Sequence, residues 1–154
     1  MSDKTESAAR QVLEVVPLVM RTLALELRRT RYELAPVHFR LLVLLAERPH
    51  NLSELAEKQA VSLPTMSNSI TTLVERGWVK RVRAPRDRRM VLVELTSTGR
   101  GVLNEILQPV EARVTELLVS LSPTECDQLL AGCAILRAAF ARAAEDTKGS
   151  GQAR

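Results

Sequence analysis

The sequence predicts a mainly α chain with a small β-hairpin wing, in which a winged helix-turn-helix unit lies between two parts of a helical dimerisation layer. Three observations predict this. Apolar residues recur every three or four positions near both ends of the 154-residue chain, the spacing of long amphipathic helices. Two short helices with capping signals meet at a tight connector in the middle. Two apolar-alternating stretches then flank an arginine-dense turn, as in a hairpin.

The first helix is expected from about Glu6 to Arg31, with Val12, Val15, Val16, Val19, Met20, Leu23 and Leu27 on its apolar stripe. Pro17 lies inside the pattern and predicts a kink or an irregular turn. So long a stripe needs a partner, because an isolated helix is marginal in water. Pro36 opens a second helix to Glu47, with Val37, Leu41, Leu42, Leu44 and Leu45 central to a core, and Pro49 ends it. Asn51 and Glu54 have capping-box spacing before a helix at about Leu52 to Gln59 that turns Leu55 and Ala56 inward.

Ala60-Val61-Ser62 is a tight connector. Ser62 can cap the next helix, and Pro64 sits in its first turn, where an amide needs no partner. Met66, Ile70 and Val74, with Leu63 and Leu73, give that helix a dry side; Thr65, Ser67, Asn68, Thr71 and Thr72 give it a hydrogen-bonding side. Gly77 suits a left-handed closing residue. A strand follows from Trp78 to Val82, and a return strand over Val91 to Leu95. Thr96 and Gly99 begin a helix carrying Val102, Leu103, Ile106, Leu107, Val110, Val114, Leu117 and Leu118, with Pro109 as a point of bending. Ser122-Pro123-Thr124-Glu125 starts the last helix, which carries Cys126, Leu129, Leu130, Cys133, Leu136 and Phe140. Residues 5–34 and 100–145 are thus read as dimerisation helices, 35–99 as the winged unit, and 146–154 as a flexible tail.

Charge singles out the hairpin. From Arg76 to Arg89 seven basic residues (76, 80, 81, 83, 86, 88 and 89) face one acid, Asp87, a balance of +6 in a chain of net +4. The remainder is net negative. The aromatic side chains are Tyr32, Phe39, Trp78 and Phe140, too few for recognition by base stacking, so duplex DNA fits better than single strands. No long uncharged apolar run suggests a membrane span, and the polar N-terminus lacks the apolar core of a secretory signal, so a cytoplasmic location is expected. His38 and His50 lack metal-ligand spacing with acids or cysteines, no nucleophile elbow or phosphate loop is present, and neither enzyme chemistry nor a cofactor is expected.

The text T-M-S-N-S-I-T-T-L-V-E-R-G-W-V-K-R from Thr65, then D-R-R-M-V-L-V-E-L-T-S-T-G to Gly99, resembles the multiple-antibiotic-resistance regulator (MarR) family of winged helix-turn-helix transcription factors. The likeness in layout covers about Val12 to Arg142. It implies a homodimer with interleaved terminal helices, a helix entering the major groove and a wing reaching the minor groove of a pseudo-palindromic operator. It also implies a regulator, typically a repressor, that a small aromatic or phenolic ligand releases. Ala84 stands where the family's fuller wing pattern has its first Asp, which leaves this wing more positive.

Arg86 is the residue expected in a narrow minor groove, where focused negative potential favours a guanidinium; the alternative is a solvated turn. Arg89 either pairs with Asp87 to set the wing's shape or contacts phosphate. Arg83 and Arg88 are phosphate contacts or solubilising charges. Thr65, Ser67, Asn68 and Thr71 are candidates for base and backbone contacts, with Ser53 and Thr72 as phosphate candidates and Pro64 as a contact to a base methyl. Trp78 and Met90 are read as packing between hairpin and helices. Met20, Arg21, Tyr32, His38 and Phe39 are the candidate ligand pocket, each equally compatible with a satisfied core or interface. Cys126 and Cys133 are about 10 Å apart along one helix, too far for a disulfide within it, and are read as buried structural thiols. Two other functions fit the composition: a helical module that binds an acidic protein, and a nonspecific architectural DNA-binding protein.

Overall fold

The computed structural model describes residues 3–150, with side chains described over 3–143. The order is α1 (Asp3–Arg29), α2 (Pro36–Glu47), β1 (His50–Asn51), α3 (Leu52–Gln59), α4 (Leu63–Glu75), β2 (Val79–Arg83), β3 (Val91–Leu95), α5 (Ser97–Leu118) and α6 (Pro123–Ser150). Of the expected tail 146–154, residues 151–154 lie outside the described residues. The chain forms two compact units, residues 1–113 and 114–154.

In the first unit, Leu27 of α1, Leu41 and Leu42 of α2, Leu55 of α3, Met66 and Ile70 of α4, Val93 of β3 and Ile106 of α5 form a single closed core. A buried leucine of this kind contributes about 2–5 kcal/mol relative to alanine. Helix α3 starts where Asn51 Oδ1 accepts from the Glu54 amide at 2.8 Å. The reciprocal half of the capping box is absent, because the Glu54 carboxylate pairs with Arg48 at 2.9 Å instead. The corner between α3 and α4 is made by Ala60 in the left-handed conformation, φ 53°.

The hairpin has a third strand that the sequence did not announce. β1 pairs antiparallel with the other edge of β3, His50 opposite Val93, giving the order β1-β3-β2. His50 is buried there, with its ring Nδ1 2.8 Å from the Arg48 carbonyl. Two further expectations fail. Leu63 is half exposed at the first turn of α4, away from the stripe that Met66, Ile70 and Leu73 bury, and Met90 is exposed beside the turn while Trp78 is buried. Pro17 and Pro109 stand inside continuous helices. For Pro17 the amide-less turn is at an exposed stretch, where water can take the open carbonyl.

Helix α1 buries Leu27 but leaves Leu13, Val16, Val19 and Met20 exposed. In the second unit, a complete capping box starts α6: Ser122 Oγ accepts from the Glu125 amide at 3.2 Å, and Glu125 Oε2 accepts from the Ser122 amide at 2.8 Å. Leu130, Ile135 and Phe140 of α6 are exposed. Cys133 is exposed and Cys126 half-buried, so neither is the buried thiol expected.

Candidate nucleic-acid interface

Helix α4 presents its hydrogen-bonding side because its other side is consumed by the core. Ser62 Oγ accepts from the Thr65 amide at 3.3 Å, which fixes the first turn. Met66, Ile70 and Leu73 are fully buried, so Thr65, Asn68 and Thr71, spaced three apart, line the exposed face together with Pro64. Ser67 and Thr72 are half-buried at its borders. The Thr72 hydroxyl donates to the Asn68 carbonyl at 3.1 Å. Ser53, on α3, is exposed.

The hairpin projects beside this helix. Gly77, with φ 75°, turns the chain out of α4, and Trp78 is held by Tyr32, whose ring meets it edge-on at 5.5 Å. Arg76 lies over the Trp78 ring at 4.8 Å and donates to the Tyr32 carbonyl at 2.9 Å, so this cation is committed to the hairpin's root. At the far end the turn is tied by its own polar groups. The Asp87 carboxylate accepts from the Arg89 backbone amide at 3.0 Å, and the Arg83 guanidinium donates to the Arg88 carbonyl at 2.9 Å. Asp87 therefore meets the backbone of Arg89 rather than its guanidinium. Ala84, in place of the expected acid, is buried and donates its amide to Met90 O at 2.9 Å.

Lys80 pairs across the strands with Glu94 at 3.1 Å. None of the ion pairs among the described residues includes Arg81, Arg83, Arg86, Arg88 or Arg89, and all five are exposed. These guanidiniums and the hydroxyl and amide groups of α4 are donors and acceptors suited to a polyanion with readable edges. In the sequence Arg81 stands out only through its charge. Its position on β2 beside α4 gives it a neighbour, Thr71, that no spacing rule predicts.

The candidate pocket residues separate. Met20 and Phe39 line a cleft of about 640 Å³ with Leu23, Pro36, Val37, Arg40, Gln59 and Val61. Arg21, Tyr32 and His38 do not line it. The Tyr32 hydroxyl instead donates to Glu105 at 2.7 Å and accepts from Arg31, and Arg31 also pairs with Glu105 at 2.9 Å. That hydroxyl, with Arg31, holds the Glu105 carboxyl below the usual range. Burial, with Arg76 nearby, pushes the His38 imidazole down. Gln59 Nε2 is buried without a hydrogen-bond partner among the described residues. Such an atom costs about 1–3 kcal/mol if left unpaired, and a lone glutamine in a sequence gives no sign of it.

Among the described residues no group of three or more His, Cys, Asp or Glu is placed to hold a metal ion, and no helix is long and apolar enough to cross a membrane.

Comparison with known proteins places this geometry in context. The model of the MarR family matches residues 34–91, which run from α2 to the start of β3. The transcriptional repressor MprA of Escherichia coli (strain K12) is 33% identical over 91 residues, 58% of this chain and 52% of that protein. The chain spans between about half and three fifths of the length of the first curated relatives it matches, 52% and 59%. Among solved structures, the transcriptional regulator BldR from Sulfolobus solfataricus is 25% identical with a TM-score of 0.73, covering 90% of this chain and 99% of that one. Sco3205, a MarR family transcriptional regulator from Streptomyces coelicolor solved in complex with DNA, is 26% identical with a TM-score of 0.68, covering 88% and 87%.

Proposed function

Since the chain belongs to the MarR family of winged helix-turn-helix regulators, we propose that it is a homodimeric, sequence-specific duplex DNA-binding repressor of transcription. The observation that carries this reading is the exposed Thr65-Asn68-Thr71 face of α4 beside five guanidiniums without acidic partners. Helix α4 enters the major groove, where Asn68 can pair bidentately with an adenine and Thr65 and Ser67 bond base edges or phosphate. Arg86, at the tip of the turn, enters the adjacent minor groove, and Arg83, Arg88 and Arg89 lie along its phosphate walls. Ser53 takes a flanking phosphate, the Thr72 hydroxyl keeps its hydrogen on the Asn68 carbonyl, and the Pro64 ring meets a base methyl.

Dimerisation is supported by the apolar side chains left exposed on α1 and α6, among them Leu13, Val16, Val19, Leu130, Ile135 and Phe140. Each such side chain gains roughly 1.5–3 kcal/mol on full burial. Two copies related by a twofold axis match a pseudo-palindrome whose half-sites are about one helical turn apart. Occupying it blocks RNA polymerase.

Release by a small aromatic compound is the second part of the reading. The cleft lined by Met20 and Phe39 joins apolar walls to Arg40 and the unpaired Gln59 amide, a setting for a ring that carries an acceptor oxygen. It lies at the end of α3, next to the connector into α4. A ligand that prefers one setting of that connector shifts the equilibrium by its differential affinity.

Chromosomal occupancy of the tagged protein tests the function. Discrete palindromic sites upstream of genes, derepressed when the protein is deleted, are expected; uniform coating of the chromosome would contradict it.

A further inference from the structure

Arg81 stands in the middle of β2, opposite Val93 of β3, and its Nη2 donates to Thr71 Oγ1 on α4 at 3.1 Å. Both side chains are exposed. A threonine hydroxyl has one hydrogen and two lone pairs. Within a helix the hydrogen is often spent on the carbonyl four residues back, and Thr72 spends it on Asn68 while Thr22 spends it on Leu18. Thr71 makes no such bond among the described residues; its partner is Arg81, which occupies a lone pair and leaves the hydrogen to point elsewhere. The cation is also unspent, since Glu94, the nearest acid in the register, is taken by Lys80.

We propose that Arg81 and Thr71 form a clamp for one backbone phosphate of duplex DNA, joining the middle of strand β2 to the recognition helix. The guanidinium supplies charge and further N–H donors, and the Thr71 hydroxyl supplies one more donor in an orientation that Arg81 fixes. A phosphodiester oxygen suits the pair better than a base edge for two reasons. It is anionic, and guanidinium forks match it in geometry. Thr71 also lies in the C-terminal half of α4, whereas the N-terminal residues of a recognition helix meet the bases. Because one group comes from the hairpin and the other from α4, the bound phosphate also sets the angle between them. The clamp rests on the duplex-binding reading given above.

The test uses the full chain and a duplex that the wild type selects from a random-sequence library. Wild type, Arg81→Ala, Thr71→Val and the double variant are titrated against that duplex and a scrambled one over a range of salt concentrations. Both positions are exposed, and thermal melts check that each variant is folded. Each single change is expected to weaken binding about tenfold to both duplexes alike, and the double variant to be no weaker than Arg81→Ala. The slope of log affinity against log salt should fall by about 1.8 in Arg81→Ala, about 0.9 for the phosphate of each half-site. Replacing one phosphodiester per half-site by a neutral methylphosphonate should remove both penalties at a single position. Additive losses, unchanged binding, or a Thr71→Val loss confined to the selected duplex would overturn the clamp while leaving duplex binding intact. Failure of the wild type to bind any duplex overturns both.

Discussion

The carbonyl oxygen of Trp78 lies 2.0 Å from the place a Cβ on Gly99 would occupy. Helix α5 therefore starts against the backbone of the hairpin's root, at an approach that only glycine permits. Thr96 closes the same corner: its hydroxyl donates to the Gly77 carbonyl at 2.7 Å and accepts from the Gly99 amide at 3.0 Å. The hairpin is thus anchored on α5 by close backbone contact as well as by the core that Trp78 and Val93 share with Val102, Leu103 and Ile106.

Gly99→Ala should destabilise the protein by about 1–3 kcal/mol or more, because the clash is with backbone that cannot swing away. Gly101, one residue beyond the next in the same helix, has nothing within 4 Å of its own Cβ position, and Gly101→Ala should stabilise by roughly 0.5–1 kcal/mol. Urea titrations of the two variants check the opposite signs.

Local signals made much of this fold legible. Ser62, Asn51 and the Ser122–Glu125 pair act as caps in the structure, and the buried Met66, Ile70 and Leu73 leave the Thr65, Asn68 and Thr71 face exposed, as periodicity predicts. Strand β1 was illegible because a two-residue strand has no period; it exists only where β3 offers a free edge to His50 and Asn51. The Tyr32–Glu105 bond was equally hidden, since its partners are 73 residues apart. Charge counting found the basic hairpin, but not that Glu54 would leave its capping role for Arg48, nor that Arg81 would meet Thr71.

Stability should fall as pH drops below about 6.5, the ordinary histidine value. Burial is the largest effect pushing His50 down, with Arg48 and Lys58 adding to it against the Arg48 carbonyl and Glu54; burial, then Arg76, lowers His38. Both folded values lie below the unfolded one, so the unfolded chain takes up protons first. The contribution is full above the unfolded value and is lost as pH falls toward the folded values, by at most about 1.4 kcal/mol per pH unit for each histidine. Urea midpoints at pH 7.5 and 5.5 measure this, and the His38→Gln, His50→Asn double variant should show a flatter profile. The Asn side chain can keep a donor near the Arg48 carbonyl.

Charge placed on the exposed stripe of α1 should split the dimer. Val16→Asp with Val19→Asp is expected to convert a species of twice the 17.1 kDa chain mass into one of a single mass in sedimentation equilibrium, and to weaken binding to a palindrome more than to a half-site. A doubly charged variant that remains dimeric would remove α1 from the interface.

Removing the polar atom from the cleft should weaken effector binding. Gln59→Leu removes the unpaired amide, so it should raise stability by up to about 1–3 kcal/mol and reduce the affinity of any aromatic carboxylate or phenol that releases DNA from the wild type. Calorimetric titration with such compounds reads both the site and its loss.

The most direct measurement is a fluorescence-anisotropy titration of a selected palindromic duplex, a single half-site and a scrambled duplex, with the wild type and Arg86→Ala. Two copies should bind the palindrome at least about 1,000-fold more tightly than the scrambled duplex, and Arg86→Ala should lose roughly tenfold or more of that affinity. Equal affinity for all three duplexes, or selective binding that Arg86→Ala leaves untouched, would contradict a paired helix and arginine-tipped wing reading one operator.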